Sequence, residues 1–469
     1  MSSHLGRWPP DEHYDVIVVG AGIAGLTVAA SLADTGLHVA VLEKAASIGG
    51  TSALSGGWFA FSGTPDQAAA GIADTDRAYI DDMVTSGEGL VDIELLTAMV
   101  REQTGAYAWM REELGVRFDV VKLSSGQTVA RSHHAPIDVV LGALQSRVET
   151  GRGVHVLMGC RATRLLTAGD RIVGIAAESA GESRQLMARV GVVIATGGFT
   201  RAADLIKRFA PEQADAMPYG AIGNTGDGLL MAMDAGAGYR DMELLSGTYG
   251  SHPLTTMDEH ELLTAFYMGA IMVNTLGRRF VDESISYKQL GTAVLREPGQ
   301  LAFEVFDSAV RAKSQAGVPL SDIGHLEAKG RLLVAGSVEK LAELMDVPPD
   351  RLRDTIDEYN NGIRDGSDAF GRTGLCNGAG YLIPVASPPF YAYPAKTLMT
   401  STYCGLTVDA LARVLTVAGR PIAGLYATGE VVGGFHGAGY VTGTALSKGL
   451  IFGRVIARGL VAEAAQTAS

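Results

Sequence analysis

Residues 15–45, DVIVVGAGIAGLTVAASLADTGLHVAVLEKA, constrain the fold of this chain more than any other stretch. Val16 to Val19 form a short, fully apolar run, the composition of a strand buried in a parallel sheet. Gly20, Gly22 and Gly25 come next as G-x-G-x-x-G, with Ala24 among them, at the entry to an amphipathic helix. That spacing suits a tight turn, a close approach of backbone to pyrophosphate, and a helix N-terminus facing negative charge. A second strand, HVAVLE, ends in Glu43, 18 residues after Gly25 (43 − 25), where a carboxylate accepts hydrogen bonds from both hydroxyls of a ribose. A lone glycine motif is weak; strand, glycines, helix, strand and terminal acid together predict a dinucleotide-binding βαβ unit.

The residues beyond this unit select FAD over NAD. Glu43 and Lys44 lead directly into GGTSALSGG, with Gly50, Thr51, Ser52, Gly56 and Gly57 offering small residues and free N–H groups near the ribose. Further on, VGVVIATGGF is another apolar strand, ending in Thr196, Gly197 and Gly198. GNTGDG carries Asn224 and places Asp227 at a helix start, and IAGLYATGE offers a further strand ending at Gly429 and Glu430. A chain that returns so often to one ligand encloses a long cofactor.

The 469 residues exceed one ordinary core and predict two domains, or one with a large insertion. A formal net charge of −13, without any Lys/Arg run, argues against a nucleic-acid partner. Cys160, Cys376 and Cys404 stand alone, which argues against an iron–sulfur centre, c-type haem, structural zinc or disulfide framework and fits a reducing, cytoplasmic compartment. Glycines interrupt the early apolar run, and MSSHLGRWPPDEHYD, with two prolines and three acids, makes a poor signal sequence, so neither a targeting nor a membrane segment is expected.

Over nearly its whole length the chain resembles the flavoprotein family of fumarate reductases, succinate dehydrogenases and 3-ketosteroid dehydrogenases. The motifs that carry the resemblance are GAGIAG, LEK…GGTSALSGG, ATGGF, NTGDG, VNTLGRRFVDE and GLYATGE. It implies an α/β fold: a Rossmann-like, glutathione-reductase-like FAD-binding domain of about 1–250 plus 398–469, interrupted by an α+β substrate-capping domain of about 251–397. It also implies cofactor contacts at Ala162, Tyr426, Thr444, Ala445 and Leu446. Respiratory members carry a flavin-linked histidine before the small-residue loop; none stands around GGTSALSGG, so non-covalent FAD is expected. Without cysteine clusters no internal wire exists, and electrons are expected to leave to an external acceptor such as oxygen, a quinone or a dye.

Within that family the sequence departs from the fumarate-reductase pattern. There, an arginine four residues after the glutamate of RF-x-x-E acts as acid; here that place holds Tyr287. A second arginine comes after HGA; here HGAGYVTGTAL gives Tyr440. A histidine pair is replaced by Thr400, Ser401 and Tyr403, and Leu263 and Phe266 stand for a proton-delivering Glu and Arg. His252-Pro253 survives, but Leu254 replaces the usual threonine. The replacements are phenolic, with Tyr267 a further member and Thr442 beside Tyr440, which is similar to the ketosteroid-dehydrogenase branch. Tyr-x-Thr at 440–442 looks like the Tyr-x-Ser of the Δ4-(5α) subgroup, and the YPGPG-like stretch of the Δ1 subgroup is absent.

The resemblance implies desaturation of a cyclic ketone: an α-proton goes to a base and a β-hydride to flavin N5. Charge develops on the carbonyl oxygen, where a neutral donor helps. Tyr440 is expected in that role, with a backbone N–H from Gly443 or Thr444, and Tyr403 as a further phenol. Tyr287 is expected as the α-proton acceptor; its ordinary pKa of about 10 calls for help from Arg278, Arg279 or Lys288. The plain reading of any tyrosine among 15 is packing, and His252 reads more readily as a structural hydrogen-bonder than as a substrate contact. RSHHAP reads as a loop-like cation cluster, either solvated or supplying Arg131, His133 or His134 to a substrate carboxylate. A steroid needs a long apolar cleft, whereas a monocyclic oxo-acid of the 4-oxocyclohexanecarboxylate type needs one cation, and the sequence does not separate the two. Reduction of a conjugated acid, and a flavin-binding electron-carrier subunit, are the rival readings.

Overall fold

The computed structural model describes residues 13–245, 247–256, 261–318, 320–375 and 380–468; residues 1–12 and Cys376 lie outside them. The chain forms two compact units, the first of residues 1–210, 220–245 and 401–469, the second of residues 211–219 and 246–400.

The first unit is built on β1 (His13–Val19), the helix α1 (Ile23–Leu32), β2 (Val39–Glu43), β3 (Trp58–Ala60), β4 (Val120–Lys122), β5 (Ser132–His134), β6 (Val154–Met158), β7 (Arg161–Ala168), β8 (Arg171–Ser179) and β9 (Glu182–Ile194). Strands β6, β2, β1, β9 and Pro421–Ala427 run parallel in that order. Val16, Ile17 and Val18 are fully buried, as strands covered on both faces require. The antiparallel pair β7–β8 joins the first half of the long strand β9. The carboxyl ends of β1, β2, β9 and Pro421–Ala427 therefore deliver Gly20, Glu43, Thr196–Gly198 and Thr428–Glu430 to one end of the sheet, where open α/β sheets bind ligands. The C-terminal helix Thr444–Ala468 packs on α1, and Gly453 allows the approach: a Cβ there would lie 3.0 Å from Thr27.

A second, three-stranded sheet runs β3–β5–β4. It corrects the expected loop at Arg131–Pro136, because Ser132–His134 is its central strand, antiparallel to both neighbours.

The second unit centres on the ten-residue strand Phe390–Met399, which pairs with Ala302–Asp307, Thr248–Ser251, Leu333–Ala335 and Met217–Pro218. Ile271, Val273, Phe303 and Val305 share a core with Leu341, Leu352, Ile356 and Tyr359 from two amphipathic helices. A capping box opens its helix Tyr287–Leu295: the Ser286 hydroxyl accepts from the first-turn backbone and Gln289 returns a bond to Ser286 N–H. Among the described residues no helix is long and apolar enough to cross a membrane.

Candidate active site

The glycines around β1 are demanded by different neighbours. A Cβ on Gly25 would fall 1.9 Å from the Gly20 carbonyl oxygen, and one on Gly20 would fall 2.4 Å from that of Ala195, so both are fixed by packing. At Gly22 a Cβ would meet nothing closer than 3.5 Å, so the protein itself tolerates a side chain there. Gly22 also starts α1 without a side-chain cap, which leaves N–H groups for an anion. Glu43 accepts from Ala21 N–H at 2.9 Å and Ala45 N–H at 2.8 Å, one bond per oxygen, and each oxygen keeps a lone pair for a ribose hydroxyl. These features fit a diphosphate-bridged cofactor of the FAD type. Gly25→Ala is expected to yield protein almost without yellow colour, read from the ratio of flavin to protein absorbance.

Around the cradle, Gly50, Thr51 and Ser52 form a short turn, and Ser52 Oγ accepts from Ile23 N–H at 3.1 Å. Gly56 leads to Gly57, whose Cβ would collide with the Ala135 carbonyl at 2.1 Å. Asn224 bridges Thr51 Oγ1 (3.1 Å) and Glu430 Oε2 (2.9 Å), and Glu430 Oε1 accepts from Thr402 N–H at 2.8 Å. A Cβ on Gly198 would sit 2.0 Å from Thr402 Oγ1 and 2.6 Å from Glu430 Oε1, so these two side chains leave no room for one. Ala162 is buried on β7. The side chains of three further expected contacts bond other protein groups. Lys44 pairs with Asp227 at 3.1 Å, Asp227 also takes Arg161 at 3.0 Å, and Tyr426 donates to Glu463 at 2.6 Å. Burial would raise the Asp227 carboxyl, but bonds from Arg161, Thr225 and Lys44 outweigh it and hold the group below its ordinary value. These residues fasten the sheet behind the cradle.

The turn Tyr440–Gly443 enters the C-terminal helix, whose first residues are Thr444, Ala445 and Leu446. Tyr440 is buried, and its hydroxyl oxygen accepts from Gly443 N–H at 3.2 Å. Burial pushes this phenol up, and the N–H groups of Gly443 and Ala445 with the hydroxyls of Tyr403 and Thr444 offset only part of that. Tyr440 therefore stays neutral and keeps its proton to donate. Tyr403 stacks on it at 4.7 Å and meets His436 edge-on at 4.8 Å. Tyr403 holds φ at +53°, a left-handed conformation that costs ~1–3 kcal/mol in a bulky residue and is tolerated where neighbours fix it.

Segment 124–132 clamps this turn. Thr442 N–H donates to the Ser125 carbonyl at 3.0 Å, and the Thr442 carbonyl accepts from Gln127 Nε2 at 2.9 Å and Ser132 Oγ at 3.4 Å. Gly443, with φ at +93°, lies so close to β3 that a Cβ would meet Ala60 N at 2.6 Å. Arg131 anchors the clamp and is no solvated cation. Its guanidinium is fully buried, pairs with Asp74 at 2.8 Å and with Asp82, and covers the Tyr79 ring at 4.9 Å. Asp82 in turn accepts from Thr128 N–H at 2.7 Å. His133 is bonded to Thr64 Oγ1 (2.7 Å) and the Arg131 carbonyl (2.8 Å), and burial pushes its pKa down. His134 pairs with Asp119 at 2.7 Å. Two carboxylates already saturate the Arg131 guanidinium and His133 is held neutral, so neither supplies the cation the sequence suggested.

In the second unit, GRRFVDESISYKQL resolves into an ionic knot and a helix start. Buried Glu283 accepts from Arg279 at 2.7 Å, Arg372 at 3.1 Å and Met272 N–H at 2.9 Å, while Arg279 also reaches Asp368 at 2.7 Å. Arg279 is thereby committed to carboxylates, and Arg278 is exposed. Tyr287 is the first residue of its helix and buried; its N–H donates to the Tyr267 hydroxyl at 2.9 Å, which itself donates to the Ile285 carbonyl at 3.3 Å. Tyr267 thus fixes the Tyr287 backbone. Lys288 is buried beside it and donates to Thr400 Oγ1 at 3.3 Å, and Thr400 bonds Thr248 at 2.8 Å. His252 Nδ1 accepts from Leu254 N–H at 3.1 Å; burial and the nearby Arg331 push its pKa down to about 4, so the ring is neutral at pH 7.

Sequence reasoning did not single out Lys122, Trp58, Tyr79 or His436. Lys122, Trp58 and Tyr79 meet their partners across distant segments, and His436 stands inside the HGA motif but meets Tyr403 from another segment. Among the described residues no group of three or more His, Cys, Asp or Glu could hold a metal ion.

Comparison with known proteins agrees with this geometry. The FAD_binding_2 family, described as an FAD binding domain, matches residues 15–446. A probable fumarate reductase Ifc3 of Shewanella frigidimarina is 30% identical over 430 residues, covering 90% of this chain and 70% of that protein. The 4-oxocyclohexanecarboxylate 2-dehydrogenase of Sinomonas cyclohexanicum is 28% identical, covering 90% and 88%. Among solved structures, the 3-ketosteroid-Δ4-(5α)-dehydrogenase of Rhodococcus jostii RHA1 with 4-androstene-3,17-dione is 26% identical, with a TM-score of 0.78 and coverage of 98% and 99%. The chain belongs to the FAD_binding_2 flavoproteins and is an FAD-dependent oxidoreductase of the fumarate reductase and ketosteroid dehydrogenase family.

Proposed function

We propose that this enzyme desaturates a cyclic ketone next to its carbonyl, with Tyr440 polarising the carbonyl oxygen and Tyr287 accepting the α-proton. The observation that carries the reading is the state of Tyr440: a buried phenol, held neutral, whose oxygen accepts the Gly443 N–H and which keeps its proton to donate. Bound FAD supplies the hydride acceptor for the β-carbon. The loop from Gly49 to Gly57 contains no histidine, which supports non-covalent attachment. Tyr440 and Tyr287, each fixed within its own unit, take the two polar roles, and the second unit acts as the substrate-capping domain. Arg279 is committed to Glu283 and Asp368 and Arg278 is exposed, so Lys288, buried and next to Tyr287 in the chain, is the cation left for the assisting role. Electrons then pass to an external acceptor such as oxygen or a quinone.

Reduction of a dicarboxylate fits less well, because it needs cations aimed at substrate, while Arg279 and Arg372 are turned to Glu283. Anaerobic mixing of the oxidised holoenzyme with 3-ketosteroids and 4-oxocyclohexanecarboxylate is expected to bleach the flavin band with at least one of them. Failure of every ketone, together with rapid reoxidation of reduced enzyme by fumarate, would overturn the proposal. Tyr267→Phe removes the acceptor of the Tyr287 N–H and is expected to slow bleaching about tenfold, an effect of about 1.4 kcal/mol. Added to Tyr287→Phe it should cause little further loss, since both act through one group.

A further inference from the structure

We propose that Lys122 anchors a carboxylate of the substrate, which makes the substrate a cyclic oxo-acid rather than an uncharged ketone; the inference rests on the desaturase reading above. The register of the three-stranded sheet places Trp58 opposite His134, Ala60 opposite Ser132, Val120 opposite His134, and Lys122 opposite Ser132. Residues directly opposite one another point to the same face, so Trp58, Ala60, Ser132, His134 and Lys122 share one. Phe59 and His133 point the other way, into an aromatic cluster with Phe61 and Phe118.

The first face is the one that receives the Tyr440–Gly443 turn. A Cβ on Gly443 would lie 3.2 Å from the Ala60 Cβ, and Ser132 Oγ reaches the Thr442 carbonyl at 3.4 Å. Lys122 thus belongs to the sheet surface against which the candidate carbonyl donor is built. Its ammonium lies over the Trp58 ring, 4.4 Å from the centroid, and that ring packs on His134 at 4.8 Å.

Among the described residues no carboxylate pairs with Lys122, and Asp119, three positions earlier, is bonded to His134 instead. Burial pushes the Lys122 pKa down, the one cause of the shift among the described residues. A partly desolvated ammonium held only by an aromatic face is poorly compensated, and an incoming carboxylate restores a charge-assisted hydrogen bond. An uncharged steroid would leave it unpaired. Arg131, by contrast, is balanced by two acids and has nothing to offer a ligand.

The test separates the anion site from the chemistry by using cyclohexanecarboxylate, which has no ketone to oxidise, and the neutral cyclohexanecarboxamide as its control. Binding of both to the oxidised holoenzyme is measured by calorimetry, with FAD content checked in each variant. In Lys122→Met the ratio of acid to amide affinity is expected to fall tenfold or more, Lys122→Gln should behave alike, and Lys122→Arg should restore most of it. An unchanged ratio, or equal weakening of acid and amide, would overturn the anchor. Lys122-dependent binding of the acid in an enzyme that no ketone bleaches would keep the anion site and sink the desaturase reading. Ketone bleaching with no Lys122-dependent preference for acids would do the reverse.

Discussion

Tyr440→Phe is expected to slow anaerobic bleaching of the flavin by ketone on the order of 10²-fold or more, with FAD still bound. The ring remains to stack on Tyr403 at 4.7 Å, so the packing of the turn is preserved and only the hydroxyl is lost. In the proposed mechanism that hydroxyl donates to the developing oxyanion in a buried setting, where one such donor is worth about 3 kcal/mol. Tyr287→Phe should produce a loss of similar size with a different signature. If Tyr287 takes the α-proton as proposed, its variant should also fail to exchange the α-hydrogens of a bound ketone with deuterated solvent. Tyr440→Phe should slow that exchange as well, since an unpolarised carbonyl acidifies its neighbour less. Normal bleaching in both variants would remove the assignment.

The second large effect is on stability. Arg131→Met strands the carboxylates of Asp74 and Asp82, whose side chains are 0% and 5% exposed. Breaking a buried ion network from one side costs roughly 3–5 kcal/mol, a large share of a stability of about 5–15 kcal/mol. A marked fall in the thermal midpoint is expected, partly reversed by combining Arg131→Met with Asp74→Asn, because one of the two stranded charges is then gone. Arg131→Met protein of normal stability but with weakened binding of carboxylate ligands would show that Arg131, not Lys122, is the substrate's cation.

The two outcomes for Arg131 show where sequence reading reached and where it stopped. The βαβ opening was legible because its parts are local: an apolar strand, three glycines, a helix and Glu43 succeed one another within one segment. The tyrosines at 287, 403 and 440 could be singled out because each stands at a fixed offset from a motif. Arg131 was misjudged because its partners lie 57 and 49 residues away, and nothing in RSHHAP announces a strand flanked on both sides. The same holds for Arg279, whose bond to Glu283 at i+4 is local but whose second acid, Asp368, is 89 residues distant. Tyr426 and Asp227 sat at motif ends, yet Glu463 and Arg161 take their polar atoms. Lys122 went unnoticed since only the register with Ser132 puts it on the face of the Tyr440 turn. Long-range pairing, not residue type, decided each of these.

Loss of two hydrogens from neighbouring carbons of a cyclic ketone is open to direct measurement. An anaerobic single turnover of the oxidised holoenzyme with 4-oxocyclohexanecarboxylate, with flavin absorbance and product mass tracked in one sample, reads both halves of the reaction. One equivalent of an enone two mass units lighter is expected for every flavin bleached. Unbleached flavin and unchanged substrate, with fumarate rapidly restoring the colour of chemically reduced enzyme, would contradict the desaturase assignment.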